Sequence, residues 1–141
     1  MTILFPIKQP IKDLFIFVLF PLVLATFIYY FTRPHSIYFL RWIDYIFPLQ
    51  KTEKILLPYW VVYHLPDGLW AFSFTSIFLI IWERKINKRN FLWLLTPLII
   101  SIIIEITYGT FDYLDLCFII IGGILPLLYI IVTQFFKFYK L

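Results

Sequence analysis

The chain has little cysteine, glycine, histidine or charge, and each shortage excludes something. One cysteine, Cys117, cannot build an intrachain disulfide framework or a multi-cysteine metal site. Lying inside an apolar run, it is expected as a small core residue. Four glycines in 141 residues form no phosphate-cradling loop, and neither a His-Glu-x-x-His nor a Gly-x-Ser-x-Gly pattern occurs. Charged residues are 14% of the chain, where a soluble domain has about a quarter. No basic patch is large enough to track a phosphate backbone, so nucleic-acid binding is excluded. The net charge of +4 comes from lysines and arginines lying between apolar runs, the pattern of membrane orientation.

What is present is apolar: 62% hydrophobic residues, 23% aromatic, and a mean hydropathy of +0.91. There is not enough polar surface to cover a water-facing sphere, so the expected solvent is lipid. The expected fold class is all-α: one polytopic transmembrane domain over 1–141, with four spans at about 14–31, 67–82, 91–108 and 114–136. The first run can cross a hydrocarbon core of about 30 Å with flanking help. Lys8 and Lys12 precede it, which raises a signal peptide. No small-x-small cleavage pattern follows, and the run ends in "YYF", which favours an uncleaved span. Pro97 is expected to kink the third span. Residues 34–66 are the longest connection. Within them, 36–47 reads as an amphipathic helix in the interface plane, with Arg41 and Asp44 among aromatics. "ILLPYWVVYHLP" is too short and too broken by proline to span, and Trp42 and Trp60 read as interfacial anchors.

Four spans put both termini and the 83–90 turn on one side. That side holds Lys8, Lys12, Arg84, Lys85, Lys88, Arg89, Lys137 and Lys140, and the other holds Arg33, Arg41, Lys51 and Lys54. The bias favours both termini in the cytoplasm. Asp67, Glu105, Asp112 and Asp115 then gather at the outer face, near one membrane depth. Asp67 has a bland reading as a helix N-cap, and Asp112 with Asp115 as a cap plus a first-turn acid favoured by the helix dipole. Glu105 is harder to dismiss. It interrupts "SIIIEI" near a helix C-terminus, where the dipole disfavours an anion, and an acid in a span is a functional candidate by default. Ser101 and Tyr108 extend a polar stripe on that face. The alternative is a protonated Glu105 hydrogen-bonded between helices. His64 is expected to be solvated at the interface rather than a ligand. Ser73 and Ser76 read as interhelical hydrogen bonds, and Gly122 and Gly123 as points of close helix approach.

The pattern over about 64–130 resembles the VanZ-like family of small bacterial integral membrane proteins. Asp67 matches the acid that opens one of that family's spans, Glu105 the glutamate that closes the next, and Asp115 and Gly122 the Asp and Gly of the last. "GTFDYLDL" is similar to the family's Phe-Asp-x-x-Asp-Leu turn, which covers Asp112. Gly68, Ala71, Tyr108 and Ile119 stand where the family has Lys, His, Gln and Asn, and no Arg lies between 90 and 136. The resemblance implies a helical bundle of the bacterial inner membrane and an association with the cell envelope.

Three function classes follow. The first is an accessory or binding subunit of a larger envelope membrane-protein complex, with membrane lipid as its surroundings. The second is an envelope enzyme acting on a lipid-linked or head-group substrate at the outer leaflet. There Glu105 is the best catalytic candidate as the acid/base, while Asp67, Tyr108, Asp112 and Asp115 complete the binding cluster. The third, with least support, is a transporter component. Carboxylates with one His can bind a hard divalent cation or receive a cationic or polyhydroxy head group, and the spacing does not choose. No cofactor and no metal is assigned.

Overall fold

The computed structural model describes residues 10–32, 41–42, 45–46, 57–84, 86–108 and 112–138; the side chains of Pro10, Arg89, Glu105, Tyr108 and 134–138 are outside that description. Among the described residues there is helix and no strand. Helix α1 (Pro10–Leu14) continues through one π-helical turn (Phe15–Leu19) into α2 (Phe20–Thr32). The short α3 (Tyr59–Tyr63) leads into α4 (Leu65–Ile81), followed by α5 (Lys88–Tyr108) and α6 (Tyr113–Phe138). The π turn has a local cause. Pro21 has no amide to give the carbonyl four residues back, and the ladder loosens before it, with the Phe20 amide donating to the Phe15 carbonyl.

Each expected span falls on a helix, and two stretches, Ile11–Thr32 and Tyr113–Thr133, are long and apolar enough to cross a membrane. Leu65–Ile81 and Asn90–Ile104 are apolar but shorter. At 17 residues, α4 rises only about 26 Å. The proposed interfacial segment at 36–47 lies mostly outside the described residues; Arg41, Trp42, Tyr45 and Ile46 are helical and exposed.

Helix α4 is the centre of the bundle. It packs on α2 and α5, and most extensively on α6. Its buried positions are mainly small: Gly68, Ala71, Ser73, Thr75 and Ser76. Small residues let helix backbones approach, and the closest approach is Gly68 against Gly122. A Cβ on Gly122 would lie 2.0 Å from the Gly68 carbonyl oxygen. Gly123 faces α5 instead, where its Cβ would meet Leu98. Both glycines thus sit at helix approaches. The expectation for Ser73 and Ser76 fails: their hydroxyls donate within α4, to the carbonyls of Leu69 (2.8 Å) and Phe72 (2.7 Å). A short hydroxyl side chain reaches its own i−4 carbonyl more readily than a neighbouring helix.

The contacts set the directions. Tyr29 meets Asp67 while Phe17 meets Phe72, so α2 and α4 are antiparallel. Gly68 meets Gly122 while Leu79 packs with Ile130, so α4 and α6 are parallel. Helix α5 returns between them, Leu98 beside Gly123 and Leu94 beside Leu79 and Ile130. The core cluster of Leu79, Leu94 and Ile130 sits toward the C-terminal end of α4. There α4 closes in a Schellman turn, with Arg84 N–H donating to the Leu79 carbonyl at 2.7 Å and Glu83 N–H to that of Ile80 at 3.0 Å. Glu83 and Arg84 take left-handed φ values of 52° and 58°, and the Arg84 guanidinium pairs with Asp13 on α1. The outer faces of α2, α5 and α6 carry exposed Phe, Ile and Leu. Cys117 is exposed on α6 rather than in the core, because the inward face of that turn is taken by Phe118 and Ile119.

Candidate functional site

The end of the bundle opposite Arg84 collects the polar groups. It joins the C-terminal turn of α2 to the N-terminal turns of α4 and α6. Helix α6 starts at a carboxylate cap: the Leu114 amide donates to Asp112 Oδ1 at 2.9 Å, which satisfies one of the free amides of the first turn. Asp115 lies in that first turn, as expected from the spacing.

Asp67 departs from its expected role. Helix α4 begins two residues earlier, at Leu65, with Pro66 in its opening turn and His64 at the cap position, making no side-chain cap bond. Proline tolerates a first helical turn, where an amide would be unpaired anyway, so the helix runs back past the acid. Asp67 becomes a first-turn residue whose Oδ1 accepts from the Tyr29 hydroxyl of α2. Tyr29 was not singled out from the sequence. Tyr29, Tyr30 and Phe31 look alike as a span end, and only the rotation of α2 against α4 selects the one that reaches the acid.

His64 is the larger correction. It is not solvated: it is 1% exposed. Its Nδ1 lies 2.5 Å from Asp115 Oδ1, at hydrogen-bond distance. Its ring stacks on Phe118 at 5.9 Å and 29°, and meets Tyr59 edge-on at 5.4 Å. Among the described residues Nε2 has no hydrogen-bond partner. Nδ1 thus faces the carboxylate, and Nε2, on the other side of the ring, is buried. One nitrogen of His64 and one oxygen each of Asp112 and Asp115 lie within 4.8 Å of one another.

Of the five residues expected to bind, Asp112 and Asp115 lie in one cluster with His64, while Asp67 is bonded to Tyr29 of α2 at the same end of the bundle. Glu105 and Tyr108 lie in the last turns of α5, and their side chains are outside the described residues. The signal for His64 was present in "YHLPDG", but a lone histidine beside Pro and Gly reads as a loop until the parallel packing of α4 and α6 sets it against Asp115. A shallow cleft lined by Phe17, Leu79, Arg84, Pro126, Tyr129 and Ile130 lies at the other end and shares none of these residues.

Chemically, the arrangement orients an imidazole by a carboxylate, keeps three acids within one helix end-layer, and ties α2 to α4 and α4 to α6. In comparisons with known proteins, no family model, no curated protein and no solved structure matches the chain.

Proposed function

We propose that this chain is a small VanZ-like protein of the bacterial inner membrane, with four spans and cytoplasmic termini, acting as an accessory or binding subunit of an envelope complex. The observation that supports this reading is how the acids are used. Asp67 accepts from Tyr29, Asp115 pairs with His64, and Asp112 caps its own helix. Groups spent on holding helices together suit a docking or binding module better than a proton-transfer centre. The exposed apolar faces of α2, α5 and α6 fit lipid or a neighbouring subunit, and Arg84 and Lys88 lie at the end away from the acids, as cytoplasmic termini require.

The enzyme reading keeps one specific support, the His64–Asp115 pair, since a carboxylate-oriented imidazole is a familiar general base. Its ring is closed off by Phe118 and Tyr59, which leaves a substrate no approach to Nε2 without movement. The deciding experiment is gentle detergent extraction of the tagged protein from its native host, with mass spectrometry of what co-purifies. A stoichiometric envelope membrane protein is the expected result. A lone chain carrying only lipid overturns the accessory reading and makes the enzyme reading the one to pursue.

A further inference from the structure

We infer that the cleft at the basic end of the bundle holds one anionic phospholipid, with its acyl chain along the apolar wall and its phosphate on Arg84. The inference rests on the membrane setting and cytoplasmic termini of the proposed function, and not on the accessory role.

Two independent features meet there. The first is the wall. It runs along α4 from Ser76 to Ile80 and ends at Arg84, with Phe17 of the π turn and Pro126 and Tyr129 of α6 completing it. The Ser76 hydroxyl donates inside its own helix, to the Phe72 carbonyl, so hydrocarbon meets an apolar surface until Arg84 is reached. An apolar trough that ends in a cation has the polarity of a lipid with a charged head, not that of a soluble anion. The second feature is how Arg84 is held. Glycine is the ordinary occupant of the left-handed position that closes such a helix, yet Glu83 and Arg84 take φ values of 52° and 58° there. Such backbone persists in bulky residues only where the surroundings fix it, and it collects at ligand clamps. Asp13 takes one nitrogen of the Arg84 guanidinium, and the side chain is still 36% exposed. A guanidinium has five N–H donors in a planar fork that matches phosphate, so one carboxylate does not exhaust it.

The charge around the cleft fits this occupant. Lys12 and Lys88 are exposed at the same end, and with Arg84 they outnumber its described acids, Asp13 and Glu83. Lys85 and Arg89 belong to the same connection in sequence, while Asp67, Asp112 and Asp115 gather at the far end. The cytoplasmic leaflet carries anionic lipid, and basic pockets between spans on that side receive acidic head groups.

The test is native mass spectrometry of the full-length chain, purified in a neutral maltoside detergent and incubated with equal amounts of phosphatidylglycerol and phosphatidylcholine of the same acyl chains. The expected result is a single phosphatidylglycerol retained per chain, favoured by about fivefold, the effect of one cation near an anionic surface. Arg84→Gln is expected to bring the two lipids to parity. Asp13→Asn removes the carboxylate that competes for the guanidinium and is expected to raise phosphatidylglycerol retention about twofold. A merely structural Asp13–Arg84 pair would give a loss instead. Lys12→Gln and Lys88→Gln remove charge beside the cleft without lining it, and each is expected to leave most of the preference in place. Glycerol phosphate, the head group without its chains, is expected not to displace the lipid at millimolar concentration. Parity in the unaltered chain, a loss with Asp13→Asn, lysine variants as damaging as Arg84→Gln, or displacement by glycerol phosphate each overturns the site. The result is separable from that of the co-purification: a partner found with a chain that shows no lipid preference rejects only the lipid site, and selective retention by a lone chain rejects only the accessory role.

Discussion

Gly122→Ala is the sharpest perturbation of this fold. The added methyl would sit 2.0 Å from the Gly68 carbonyl oxygen and 2.8 Å from its carbon, where ordinary contacts begin at 3.4 Å. Both partners are backbone, so no rotamer relieves the clash and α4 must part from α6 by about 1.4 Å. Overpacking costs about 1–3 kcal/mol where side chains can adjust, and the upper figure applies here. Alanine returns about 1 kcal/mol through helix propensity, so the net loss is about 2 kcal/mol. The neighbour supplies the control. A methyl on Gly123 meets Leu98 Cδ1 at 2.8 Å, the far end of a flexible side chain. There the relief and the propensity gain of about 1 kcal/mol nearly cancel. Unfolding in mixed micelles titrated with SDS, followed by helical circular dichroism, reads both variants. Gly122→Ala is expected to be less stable than Gly123→Ala by about 2 kcal/mol. Equal stabilities, or the reverse order, would refute the packing of α4 on α6 described above.

Two further outcomes are checked by the same titration. Thr75 is buried, and its hydroxyl has no partner among the described residues, so the near-isosteric Thr75→Val is expected to stabilise by about 1 kcal/mol; a clear loss would mean that the hydroxyl is bonded in the folded protein. Tyr29→Phe removes the bond to Asp67 and is expected to cost about 1.5 kcal/mol, the range for bonds to charged groups. In a double-mutant cycle with Asp67→Ala, which removes the acceptor, most of that cost should vanish, and independent, additive losses would contradict the α2–α4 tie.

Sequence by itself determined the class and the layering. Apolar runs of helical length separated by polar turns admit only helices in a lipid-like setting, since each run must satisfy its own backbone. The alternation of runs was enough to bring Asp67, Asp112 and Asp115 to one end, because antiparallel returns reverse the chain at each turn. It also marked Gly122 and Gly123 as approach points, since only the absence of a side chain explains glycine inside a good helix. Tertiary structure alone decided which partner each group meets. Whether Asp67 caps or is bonded depended on where α4 starts, and the tolerance of Pro66 for a first turn moved that start to Leu65. Whether His64 is solvated or buried depended on α4 and α6 running parallel in contact at Gly68 and Gly122, which presses the ring onto Phe118 and Asp115. Whether Cys117 faces in or out depended on the rotation of α6. Direction along the chain is written in the local pattern; rotation about a helix axis and start points within a turn are set by packing against neighbours distant in sequence.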